Sequence, residues 1–166
     1  KKLKDINLSN VEHIGKNAFN GAITTTNTEI DLSSLKTMGD AAFSGATYLR
    51  VVDMETATLT EIPEKAFFGC ARLFTVKLPT TVKIVWDNAF ASNSCLVNVN
   101  LENVERFKMN CFSECVNLTS ITLTNATEIR FEAFFQCTKL ASVTIGDKLQ
   151  VLYLRAFYSN NSLTYF

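Results

Sequence analysis

The chain has a single histidine, His13, and its 16 basic residues balance 16 acidic ones over 166 positions. One imidazole between two apolar positions, Val11 and Ile14, cannot assemble a Ser/His/Asp-type array, so no enzymatic role is expected. Zero formal charge without a basic stripe argues against nucleic acid as a partner. No apolar run approaches the ~18 residues of a membrane span. Lys1-Lys2, followed by Asp5 and Asn7, shows no signal-peptide core. A signal removed by processing leaves no trace, so this does not argue for the cytoplasm. The five cysteines match no zinc spacing: Cys111 and Cys115 stand four apart, without a His or second pair to complete a site. No loop has the ligand spacing of a calcium site. Neither a metal nor a cofactor is expected.

What the sequence has is repetition. Ala18-Phe19, Ala42-Phe43, Ala66-Phe67, Ala89-Phe90, Cys111-Phe112, Ala133-Phe134 and Ala156-Phe157 form one series, with steps of 22 to 24 residues between successive Phe. A fixed period in the twenties marks a repeat architecture. Each repeat opens on an apolar pair two apart, such as Ile30/Leu32, Val76/Leu78 or Ile121/Leu123. That alternation predicts a strand with one buried face. A second apolar pair follows on a second short extended piece, three apart, as in Leu35/Met38 or Val82/Val85, and the Phe comes five residues later. Length variation falls in the turn between the pairs and in a polar insertion, Thr24-Thr25-Thr26-Asn27. Solvated turns accept such changes; packed columns do not. Ala, Glu and Lys cluster before the Phe, as in Glu64-Lys65-Ala66, which predicts a short helical turn there.

One coil cannot bury its own apolar columns; stacking the coils does. The Phe side chains should then form a continuous spine. Cys70, Cys115 and Cys137 share a column with Ala22, Ala46, Asn93 and Asn160, which selects small residues and predicts buried free thiols. Coil spacing alone would permit a Cys115–Cys137 bond. Cys95 falls in a polar column and should be the exposed thiol. Trp86 follows Val85 at an outward position.

Leu73-Phe74-Thr75-Val76-Lys77-Leu78-Pro79-Thr80-Thr81-Val82, continued to Ala89-Phe90, resembles the repeat of the BspA-like leucine-rich repeat family. The likeness runs the length of the chain. It departs where most repeats lack the Pro and where Cys111 replaces Ala. The resemblance implies an α/β fold: a right-handed, horseshoe-like solenoid with a parallel sheet on one face and helical turns or loops opposite. It also implies a secreted or cell-surface protein, often bacterial and often adhesive. Seven repeats nearly exhaust residues 1–166, so one domain is expected, and because neither end shows a polar cap it is expected to be a fragment of a longer array.

The outward strand positions are the candidate binding residues: Asp5, Asn7, Glu29, Asp31, Asp53, Lys77, Asn98, Asn100, Thr122 and Thr144. In a parallel sheet these rows align, acidic at one end and rich in amides and hydroxyls at the other. The expected partner is an extracellular or host-surface protein, or a glycan. The alternative reading is a spacer that displays another domain and binds nothing itself.

Overall fold

The computed structural model describes residues 6–22 and 28–164. Asp5 and the Thr24–Asn27 insertion lie outside these residues. The coils are numbered 1 to 7 here by the Phe each contributes, from Phe19 to Phe157.

The first apolar pair forms a strand in repeats 2 to 7, as its alternation requires, whereas Ile6 and Leu8 of repeat 1 lie in no strand. These strands are β2 (Thr28–Asp31), β4 (Leu49–Asp53), β6 (Thr75–Lys77), β8 (Asn98–Val99), β10 (Ser120–Leu123) and β12 (Ser142–Ile145). They pair in parallel with the buried positions in register, Ile30 to Val52, Val52 to Val76 and Val76 to Val99. Asp31, Asp53 and Lys77 fall in one outward row, as expected. The row of strands is broken once: β2-β4-β6-β8 form one sheet, and β10-β12 form another.

The second apolar pair also builds strands, as the second short extended piece expected in each repeat. They are β1 (His13–Ile14), β3 (Thr37–Met38), β5 (Glu61–Ile62), β7 (Ile84–Val85), β9 (Arg106–Phe107), β11 (Glu128–Ile129) and β13 (Val151–Leu152). The residue after each strand donates its N–H to the preceding coil: Gly39 to Ile14, Trp86 to Ile62, Lys108 to Val85, Arg130 to Phe107 and Tyr153 to Ile129. In coil 3 that position is Pro63, which has no N–H to give. The second row accordingly splits there, into β1-β3 and β5-β7-β9-β11-β13.

The helical turns expected before and after each Phe are absent, and no helix occurs among the described residues, so the α/β assignment is corrected to a β-solenoid. Backbone conformation is the reason. Two residues before each Phe, φ is positive: Asn17, Ala41, Lys65, Asn88, Asn110, Glu132 and Arg155, at 51° to 61°. Two residues after, it is positive again, at Gly21, Gly45, Gly69, Ser92, Glu114, Gln136 and Ser159. A left-handed residue on each side of the Phe prevents a helix from propagating. Hydrogen bonds alternate instead. The N–H groups of Ala41, Phe43 and Gly45 reach across to Glu64, Ala66 and Phe68, while Ser44 and Ala46 bond back to Ala41 and Phe43. The helix-forming tendency of Ala, Glu and Lys, worth a few tenths of a kcal/mol per residue, loses to this ladder between coils.

Between the two sheets and the turns runs one core. Six ring-to-ring steps join Phe19, Phe43, Phe67, Phe90, Phe112, Phe134 and Phe157, at 5.0 to 5.4 Å and nearly parallel. The small-residue column has a purpose beyond size. Cys70 Sγ donates to the Phe43 carbonyl, Asn93 Nδ2 to Phe67, Cys115 to Phe90, Cys137 to Phe112 and Asn160 to Phe134. Where the column holds Cys or Asn rather than Ala, the side chain thus satisfies a buried carbonyl one coil back. Burial pushes the Cys70 and Cys137 thiols up to about 12, and raises Cys111 and Cys115 well above the ordinary value. All five cysteines are free.

Candidate functional site

The break between β8 and β10 begins with Asn100. In the regular coils a backbone carbonyl closes the ladder: Leu32 N–H donates to Asp53 C=O, and Met54 N–H to Lys77 C=O. At the next step the acceptor is a side chain. Leu78 N–H donates to Asn100 Oδ1 at 2.7 Å, and Asn100 Nδ2 donates to Leu78 C=O at 2.9 Å. The amide side chain mimics a peptide and takes the place of residue 100's own carbonyl. Strand β8 stops at Val99, and it does not pair with β10. Parallel strands alternate their hydrogen-bonding groups between two neighbours. Half of the groups along these two edges therefore lack a strand partner.

Over this break lies a cavity of about 560 Å³. Lys77, Asn98, Asn100 and Thr122, four of the sequence-selected residues, line it together with Thr75, Ser120, Glu55 and Glu102. Its lining mixes amides, hydroxyls and charged groups with the apolar Val76, Val97, Val99, Leu101 and Ile121. Asn98 Nδ2 donates to Thr75 Oγ1 at 3.3 Å, while Ser120 and Thr122 are exposed. Thr144 is exposed on β12 but is not part of the lining.

The acidic end is less available than its composition suggests. Lys77 Nζ binds Asp53 Oδ2 at 2.7 Å, and Arg50 lies 3.5 Å from Glu29. The Lys77 ammonium holds the Asp53 carboxyl below its usual range against partial burial, and the Glu55 N–H adds to this. Asp31 and Asp53 also accept the N–H of Ser33 and Glu55, two residues on, and Asn7 accepts that of Ser9. These are Asx turns, which fix the chain as it leaves the strand. The structure gives this column a turn-forming duty that the sequence reading overlooked. Asn or Asp at three successive repeat positions was the available signal. No group of three potential metal ligands occurs among the described residues.

Elsewhere, His13 is exposed and bonds Thr37 Oγ1 at 2.8 Å, the neighbour its column implied. Cys95, expected to be exposed, is half-buried. Trp86 is 38 % exposed, and its Nε1–H donates to Glu61 Oε2 at 2.9 Å.

Parallel coils of 22 to 24 residues, apolar Leu columns and a Phe spine define a solenoid of the leucine-rich type. A family model described as BspA type leucine rich repeat region matches residues 1–90 and 36–164, with six copies. The chain belongs to this family, whose members are repeat scaffolds. Among solved structures, the T. pallidum leucine-rich repeat protein is similar at 20 % identity and a TM-score of 0.59, over 93 % of this chain and 72 % of that one. A leucine-rich repeat protein from Bacteroides ovatus matches 94 % of this chain at 18 % identity, with a TM-score of 0.39. This chain spans 58 % of the Bacteroides ovatus protein's length. No curated protein sequence matches at a significant level.

Proposed function

We propose that this is a non-catalytic binding module of a secreted or cell-surface protein, adhesin-like, which recognises a protein partner through the outward face of the β2–β12 strand row. The observation that carries the reading is the cavity over the β8–β10 break. It joins four outward residues from three coils, and it leaves strand-edge backbone groups available to a partner's polar atoms. Side chains on stacked strands lose little freedom on contact, which favours a rigid recognition surface. Family membership supports a repeat scaffold, and the BspA type is typically surface-associated in bacteria, which favours a surface role.

The test uses exposed positions only. Ser120→Arg with Thr122→Arg fills the cavity mouth and touches no buried column. Such surface changes should alter stability by no more than ~0.5 kcal/mol. Solid-phase binding to a panel of extracellular-matrix proteins should fall in the variant, with the melting temperature unchanged. Binding that survives the double substitution would remove the sheet face from consideration. The spacer reading predicts no binding by either protein. Asp53 is unsuited to this test, because replacing it breaks both the Lys77 pair and the turn to Glu55.

A further inference from the structure

A second surface stands apart from the sheet cavity. The residues that follow the second-row strands form a column along the solenoid axis, which includes Pro63, Trp86, Lys108, Arg130 and Tyr153. Trp86, Met109, Phe131 and Tyr153 line a hollow of about 330 Å³ with Asp87, Lys108 and Arg130. On the other side of Trp86, a hollow of about 210 Å³ is lined by Asp40, Pro63 and Glu64. The indole lines both hollows and divides one groove that crosses several coils. Its rings are held in place. Lys108 Nζ lies 5.7 Å from the Trp86 ring centre, and Arg130 Cζ lies 4.9 Å from that of Tyr153. Such cation–π contacts, with the Trp86–Glu61 hydrogen bond, fix exposed aromatic faces in advance of any ligand.

The charge arrangement selects the occupant. Glu128 sits between Lys108, at 2.8 Å, and Arg130. Asp40 pairs with Lys16 at 3.3 Å, and Glu64 with Lys65 at 2.9 Å. Asp87 Oδ1 accepts the Met109 N–H at 2.9 Å. The charges around the groove are thus largely matched, and no cluster of one sign is left to hold an ionic ligand. An uncharged polyhydroxyl ligand needs no such cluster: its hydroxyls use the remaining lone pairs of Asp87 and the outer N–H groups of Arg130. Its C–H faces pack on Trp86, Met109 and Tyr153. Successive residues of the column stand about 4.8 Å apart, close to the advance per ring of an extended chain of sugar rings. We propose that this groove is a second binding site, for a linear uncharged polysaccharide.

Trp86 is the single tryptophan of the chain, so its emission reports on the groove directly. Soluble neutral polysaccharides, a glucan, a mannan and a galactan, are titrated against the protein, with polygalacturonate as the charged counter-probe. At least one neutral polymer should shift the emission saturably and retard the protein in a native affinity gel. Trp86→Ala should abolish the retardation. Should that variant fold poorly, Met109→Glu at an exposed position should weaken it about tenfold, the loss of one packed contact. Ser120→Arg with Thr122→Arg, on the sheet face, should leave it unchanged. No response to any of the three neutral polymers overturns the proposal. So does binding of polygalacturonate alone, or retardation that a well-folded Met109→Glu variant retains in full.

Discussion

Replacing Asn100 tests whether one side chain opens the sheet. The side chain makes two hydrogen bonds to the Leu78 peptide, at 2.7 and 2.9 Å and partly buried. Net values of about 0.5–1.5 kcal/mol per bond put the cost of Asn100→Ala at roughly 1–3 kcal/mol. Asn100→Thr should cost less. Thr occupies the same column at Thr122 and Thr144, and it has the β-branch that strands favour. In that variant the carbonyl of residue 100 can take up the Leu78 N–H, as Lys77 does for Met54. The ladder should then close towards β10. Urea unfolding gives the free energies, and hydrogen exchange at residues 98–101 and 120–123 gives the closure. Amides on the open edges should exchange quickly in the parent and slow in Asn100→Thr. Slow exchange at both edges in the parent, or an Asn100→Ala variant as stable as the parent, would refute the argument.

Phe90→Ala should cost about 3–5 kcal/mol, since Phe90 is fully buried and stacked on both Phe67 and Phe112. Phe157→Ala should cost clearly less, because Phe157 is half-buried; equal losses in urea melts would contradict the stacked-coil account. Thiol labelling of the native protein should modify Cys95 first and leave Cys70, Cys111, Cys115 and Cys137 protected even at mildly alkaline pH, with five labels after denaturation without reductant. Gly146→Ala should destabilise by ~1–3 kcal/mol, because an added Cβ would lie 2.1 Å from the Thr124 carbonyl oxygen, whereas at Gly15 it would meet nothing within 4 Å. Burial raises the Glu128 pKa, but hydrogen bonds and charges from Lys108 and Arg130 outweigh it and hold the carboxyl below its usual range. A lowered folded pKa stabilises above the unfolded value and loses that contribution as pH falls through the folded one. The stability gap between the parent and Glu128→Gln should therefore shrink on acidification below about pH 4.5, the ordinary value.

The parts of this fold that depend on burial were legible in the sequence. Ile30, Val52 and Val76 announce strand faces because a one-residue slip would expose them, and the Phe column announces a spine because only stacking hides it. Parts that depend on backbone conformation were not. Lys65, with Glu64 and Ala66, has a helix-forming composition, yet Lys65 adopts φ 54°. The signal lay in the aligned columns, where Asn17, Asn88 and Asn110, and Gly21, Gly45 and Gly69, occupy the left-handed positions. The second row of strands was legible only as a short extended piece, because each strand is two residues long, too short for period-2 alternation to register. The candidate site was half legible. Aligned outward rows place Lys77, Asn98, Asn100 and Thr122 near each other, but nothing in the row foretells that Asn100 turns its amide onto Leu78.

The surface features of this solenoid fall where its period fails. A perfect stack would offer the same residue and the same closed ladder at every coil, and a ligand would find no reason to choose a register. Departures at Pro63 and Asn100 break that sameness. Pro63 withholds an N–H, interrupts the second row between β3 and β5, and lines the hollow beside Trp86. Asn100 replaces a backbone acceptor with a side chain, interrupts the first row between β8 and β10, and lines the larger cavity. Both departures keep the core intact: Ile62 and Val85 remain fully buried around the first, and Leu101 and Leu123 stay buried around the second. Each coil contributes to stability through its buried columns and its neighbours. Outward positions are therefore free to vary without unfolding the array. Specificity in such a scaffold follows from single substitutions that disturb the ladder locally, as Pro63 and Asn100 do among the described residues.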